Sequence, residues 1–202
     1  MDYPDEPWDL HGHGYISLWL VPSRELPSLP PEVTPISLLG KAVVATAFVD
    51  YLPGSLLPYH ELLAAVVVRQ GLRPGLTITD IWVDSPSSRA GGRELWGIPK
   101  ELAEFKLVHE PTFTGTASDS SLLAEAGVRP ATRGLPLPFP VTGTVLQTLR
   151  GELARTPVRA SGRIRWAKGI WRTSGALGWL AGHRPFATVK AEEFKLRFGP
   201  KS

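Results

Sequence analysis

At 202 residues and 22.0 kDa, with 43% hydrophobic and 20% charged residues, the chain is long enough to bury a core of its own. Twenty glycines and twenty prolines exclude an all-helical bundle, and the absence of cysteine excludes disulfides, thiolate nucleophiles, zinc fingers and iron–sulfur clusters. The net charge of +3 hides an asymmetry: residues 1–149 carry 10 Lys+Arg against 16 Asp+Glu, a net of −6, and residues 150–202 carry 12 against 3, a net of +9. The basic segment is expected to pair with acids of its own chain or of a neighbouring subunit, not with nucleic acid.

The acidic start, Met1 to Glu6, lacks the basic end of a signal peptide, and no apolar run reaches the ~18 residues of a membrane helix. The expectation is a cytoplasmic protein without membrane contact, folded as one domain over residues 1–202. Tyr15 to Val21 is aromatic and branched and reads as a first strand. Five prolines between 22 and 40 favour a loop with at most a helical turn. Lys41 to Tyr51, His60 to Arg69 and Thr77 to Asp84 follow as a meander, separated by turn-forming PGSLLP and QGLRPG.

Residues 85–103 carry the helical signals: Ser87 and Ser88 as caps, then a second start at Pro99. Strands are expected over 104–110 and 112–118, while 118–132 is ambiguous. A Pro-rich stretch at 135–140 precedes three alternating segments, 141–150, 159–166 and 186–198. Many short strands and few helices predict a mainly antiparallel β-barrel, whose interior or mouth offers a ligand cavity.

The densest cluster of chemistry runs from Gly91 to Leu102, GGRELWGIPKEL. With Pro99 at the first position of a helix, Lys100 falls in the first turn, where the peptide dipoles disfavour an ammonium. Trp96, Ile98 and Leu102 add apolar walls that disfavour it further, so the expected pKa is low and the amine can attack a carbonyl carbon to form an imine. A solvated helical lysine fits the same spacing. Glu61 reads as a proton shuttle or as a structural hydrogen-bonding group at a strand end. Arg93 and Glu94 read as substrate-orienting groups or as an ion pair bracing the loop. His11 and His13 lie on one face of an extended segment without a third ligand nearby, so no metal site is expected. Phosphate-binding loops, dinucleotide fingerprints and a nucleophile elbow are absent.

GRELWGIPKELA resembles the active-site segment of the acetoacetate decarboxylase family, in which the lysine after the proline forms a Schiff base with a β-keto acid. Pro58-Tyr59-His60-Glu61 is similar to a second family motif whose glutamate points into the pocket, and residues 7–15 and 194–198 also look like family segments. The resemblance implies a cone-shaped antiparallel β-barrel with a few short helices and a lyase acting on a keto acid through Lys100 and Glu61. It implies no cofactor. Tyr59, Trp96, Arg93, Glu94 and His13 fall on positions expected to contact substrate, and a homo-oligomer is expected. Three positions depart from the decarboxylase pattern. Glu101 follows Lys100 where that enzyme has a second lysine, and a carboxylate there would raise the Lys100 pKa. His13 aligns with an expected arginine and Thr46 with a second pocket glutamate. A Schiff-base aldolase or dehydratase, or a non-catalytic small-molecule-binding barrel, fits the same residues.

Overall fold

A computed structural model describes residues 3–132, 135, 136 and 140–201, so part of the Pro-rich 135–140 stretch lies outside the described residues. The strands are β1 (Trp8–Pro22), β2 (Thr34–Pro35), β3 (Ser37–Leu38), β4 (Lys41–Tyr51), β5 (Tyr59–Gln70), β6 (Arg73–Val83), β7 (Lys100–Leu102), β8 (Glu104–Val108), β9 (Phe113–Ser118), β10 (Leu122–Pro130), β11 (Leu135–Pro136), β12 (Val141–Leu149), β13 (Glu152–Thr173) and β14 (Ala187–Phe198). One α-helix is described, α1 (Pro86–Trp96), together with two short 3-10 turns. No described helix is long and apolar enough to cross a membrane.

The sheet order is β12-β6-β5-β4-β1-β14-β13-β10-β9-β8, and β12 also pairs with β13, which gives the first seven strands a ring-like course. Pairing is antiparallel except for β7 on β6 and a single β6–β12 bridge, Val145 with Leu76. The mainly β, few-helix expectation matches this architecture. Alternation along each strand divides the core in two. Tyr51, Tyr59, Ala65, Ile78, Ile81 and Val83 pack inside the ring with Trp8, Leu10, Trp96 and Ile98. Their strand neighbours, including Phe48, Leu62, Val66 and Trp82, face the other way and pack beneath β8–β10 with Phe113, Leu123 and Val128.

Several boundaries differ from the sequence reading. The first strand begins at Trp8, because the glycines at 12 and 14 are accommodated by a register shift in the β1–β14 pairing. β13 runs for 22 residues where only 159–166 was expected. It exchanges partners as it goes, pairing with β12, then β14, then β10, so no single alternation pattern marks its full length. The ambiguous 118–132 stretch forms β10, held by β9 on one side and β13 on the other.

The expected helix start at Pro99 is not there. α1 is capped by Ser85, whose side chain accepts from the Ser88 amide at 3.2 Å, and has Pro86 in its first turn. It ends at Gly97, which adopts a left-handed φ of 68°. Pro99 therefore follows a helix instead of beginning one, and Lys100 opens a strand that pairs with β6 at Ile81. Proline is common in both places, which is why the spacing alone misled.

Candidate active site

Lys100 is 3% exposed and Glu61 is 4% exposed, although both carry ionisable side chains. Their placement follows from strand alternation. Glu61 has the inward parity of Tyr59, Leu63 and Ala65 on β5, and Lys100 turns inward from β7 while Glu101 turns out. The Lys100 ammonium donates to Glu61 Oε2 at 2.9 Å, to Ser88 Oγ at 2.9 Å and to Tyr59 Oη at 3.2 Å. Three donors thus meet three acceptors, which satisfies the buried cation completely. Glu61 accepts further hydrogen bonds from the Tyr51 hydroxyl at 3.2 Å and the Tyr59 hydroxyl at 3.3 Å.

Burial alone would lower the Lys100 pKa, but the charge of Glu61, aided by Tyr59, outweighs it and holds the amine above its ordinary value. The low pKa expected from a helix dipole is therefore corrected: there is no helix start beneath Lys100, and a carboxylate faces it. Burial and the Glu61 charge push the Tyr59 hydroxyl up to about 12 and drive that of Tyr51 well above its usual range. Both phenols stay protonated and keep donating to Glu61.

Two glycines of α1 make room for this pair. A methyl group at Gly91 would come within 2.5 Å of the Trp8 ring, and one at Gly92 within 2.7 Å of Lys100 Cδ. The helix thus presses its backbone against the lysine stem, and Trp8 and Trp96 close the same end of the ring edge to face, 4.8 Å between centroids. Gly92→Ala should push the amine off its partners and slow imine formation with a keto acid by roughly 10- to 100-fold, as expected for sub-ångström misplacement. Single-turnover trapping rates measure the effect. An unchanged rate would show that the stem position is not critical.

The pair lies on the wall of a cavity of about 700 Å³ that is lined by the ring and open to solvent. Tyr59 and Trp96 line it, as do Trp8 and Tyr51. The other residues expected to touch substrate are elsewhere. Arg93 donates from Nε to the Lys100 carbonyl oxygen at 2.6 Å and pairs with Glu101, which Arg89 also approaches at 3.6 Å. Arg93 and Glu101 brace the α1–β7 junction from outside, and Glu94 is exposed. His13 has the parity of Tyr15 and Trp19, on the opposite face of β1, where its Nδ1 accepts from the Glu193 amide at 3.3 Å. Burial, with Lys190 and His109 nearby, lowers its pKa. Thr46 also lies on that outer face and accepts from Trp19 Nε1 at 2.9 Å. A one-residue displacement in register moves a side chain across a sheet, which is why an aligned position need not be a pocket position. His11 contacts Ser55, and among the described residues no group of three or more His, Asp or Glu could hold a metal ion.

Sequence reasoning missed Tyr51, Ser88 and Trp8. Tyr51 was within reach, because it pairs directly with Tyr59 across the β4–β5 hairpin. Ser88 was read as a cap, whereas Ser85 caps and Ser88 is free to receive the lysine.

Fold and site together define a mainly β protein with a buried amine–carboxylate pair on the inner wall of a ring of strands. The chain belongs to the acetoacetate decarboxylase family, which its residues 11–138 match. It is 37% identical over 70 residues to acetoacetate decarboxylase 3 of Mesorhizobium japonicum, a match covering 34% of this chain and 27% of that relative's length. Among solved structures, an acetoacetate decarboxylase from Legionella pneumophila superposes with a TM-score of 0.77 at 21% identity, covering 99% of this chain and 88% of the other. An acetoacetate decarboxylase-like enzyme from Sphingomonas wittichii gives 0.71 at 18% identity, covering 98% and 93%. The enduracididine biosynthesis enzyme MppR, complexed with the condensation product of pyruvate and imidazole 4-carboxaldehyde, gives 0.63 at 18% identity, covering 98% and 87%.

Proposed function

We propose that the protein is a lyase that binds a keto acid as a Schiff base on Lys100, with Glu61 as the proton shuttle. The observation that carries this reading is the 2.9 Å contact between a buried amine and a buried carboxylate on the wall of the ring cavity. At rest the lysine is an ammonium and cannot attack. Transfer of one proton to Glu61 leaves a neutral amine and a neutral acid. Burial lowers the cost of this step, because it penalises both charges of the resting pair, although the pair's mutual attraction keeps the charged form as the resting state. The amine then adds to the substrate carbonyl carbon, and Glu61 returns its proton to the carbinolamine oxygen, which departs as water. The resulting cationic imine accepts the electron pair of the breaking carbon–carbon bond as carbon dioxide leaves. Protonation of the enamine carbon and hydrolysis restore the lysine.

The same imine supports an aldol route, in which a proton leaves the carbon beside the imine and the enamine adds to an aldehyde. The likeness to MppR keeps this route in view. A panel of keto acids, each with and without an aldehyde, separates the two: carbon dioxide release marks decarboxylation, and a condensation product marks the aldol route. Neither product from any member would leave the cavity as a binding site only.

The expected homo-oligomer is assigned to the exposed face of β13 opposite Trp171, where Trp166 is 66% and Ile170 is 79% exposed. Sedimentation velocity should give a multiple of 22.0 kDa that Trp166→Glu reduces. A wild-type monomer at micromolar concentration would count against it.

A further inference from the structure

We propose that the carbonyl compound taken by Lys100 carries an apolar chain, on the order of six to ten carbons, lying along the ring toward the exposed rim at Leu76 and Val141. This rests on Lys100 being the imine-forming amine, and it concerns what that amine selects.

Size is the first argument. The seven heavy atoms of acetoacetate, at about 30 Å³ per water-sized group, fill roughly 210 Å³. The cavity is about 700 Å³, so more than half of it would remain empty around such a substrate. Direction is the second. Along β5 the lining continues from Glu61 through Leu63 and Ala65 to Val67, a run of roughly 20 Å at about 3.3 Å per residue. Every side chain on that run beyond Glu61 is apolar, and so are those facing it from β13 and β14, Val158, Ala160, Leu196 and Phe198. The ionisable and phenolic side chains of the lining, Lys100, Glu61, Tyr51 and Tyr59, gather at one end, and the uncharged Thr142 and Thr144 are the polar residues of the other.

Charge is the third argument. Among the described lining residues Lys100 is the one cation, and its three donors are occupied by Glu61, Ser88 and Tyr59. No arginine on the described wall offers the two-pronged contact that fixes a carboxylate. Recognition then falls to apolar burial. The opening is the fourth. Pro74 to Leu76 of β6 and Val141 to Thr144 of β12 line the cavity beside Val67, which pairs with Leu76. Leu76 is 36% and Val141 51% exposed there, an apolar entrance rather than a charged one.

Methyl ketones test this without requiring turnover: acetone, 2-pentanone, 2-heptanone and 2-nonanone are incubated with the protein and cyanoborohydride. Each forms an imine with loss of water, and hydride reduces it to a stable secondary amine read by mass. The concentration giving half-maximal labelling should fall about fourfold per added methylene, roughly 250-fold from acetone to 2-heptanone. Ala65→Phe, four residues beyond Glu61, should flatten the series, and Ala160→Phe on the facing wall provides a second obstruction should the first fail to fold. Labelling by every ketone without chain-length preference would overturn the proposal while leaving the imine chemistry intact. A steep series that survives both substitutions would overturn the assigned path. No labelling by any ketone would overturn the imine reading, and this proposal with it.

Discussion

Lys100→Met is expected to abolish imine formation and to lower any lyase turnover by on the order of 10⁴-fold or more, the scale of losing a covalent nucleophile. It should also destabilise the protein. Methionine keeps the stem packed against Gly92 and Trp8 but removes the charge opposite Glu61, leaving a carboxylate at 4% exposure without its cation. Removing one partner of a buried pair typically costs about 3–5 kcal/mol. The hydrogen bonds from Tyr51 and Tyr59 place the expected loss toward the lower end. Adding Glu61→Gln should recover much of it, because an amide needs no counter-charge, so urea denaturation of the single and double variants checks the pair directly. A single variant as stable as the parent would mean that Glu61 does not need Lys100.

Glu61→Gln alone should separate two properties that usually fall together. In the parent, burial lowers the Lys100 pKa and the Glu61 charge more than reverses it. Once that charge is removed, burial remains, and the pKa drops below its ordinary value. The neutral amine then exists at lower pH, so the pH profile of adduct formation moves acidward. Turnover moves the other way: the group that takes and returns the proton is gone, a loss of about 10²- to 10⁴-fold. Trapping and turnover measured from pH 5 to 10 distinguish this from simple damage, which lowers both without moving the profile. Glu101→Lys is the matching control. Because Glu101 turns outward to Arg93 and Arg89, reversing its charge should leave the Lys100 profile in place while loosening the α1–β7 junction. A profile that followed Glu101 instead of Glu61 would contradict the geometry.

Much of this arrangement was legible in the sequence, for identifiable reasons. β4 could be placed at Lys41 to Tyr51 because it is a nearly continuous run of small, branched and aromatic residues packed on both faces, and its neighbours β5 and β6 are bounded by strong turn residues. Lys100 and Glu61 were singled out by motif resemblance, and the structure brings them to 2.9 Å. What failed was local inference about charge. The sequence offers the adjacent Glu101 as the carboxylate able to raise the Lys100 pKa, but consecutive strand residues face opposite ways, and the partner comes from β5, 39 residues upstream. His13 and Thr46 failed for the same reason, being placed in the pocket by alignment and outside it by parity. Pro99 failed because a proline after a helix and a proline beginning one look alike without the long-range pairing of Lys100 to Ile81.

The opposition of charge along the chain resolved partly into contacts: Arg197 pairs with Asp9 and Lys201 with Glu6, joining the basic end to the acidic beginning. Trp96 Nε1 also donates to Glu6, so these terminal pairs lie against the end of the ring that holds the lysine.

The most direct measurement is peptide mapping of the adduct formed with acetoacetate or pyruvate under borohydride reduction. The account predicts one reduced adduct per chain, on Lys100, absent from Lys100→Met. Adducts spread over exposed lysines such as Lys41 and Lys201, or located on any single lysine other than Lys100, would contradict it.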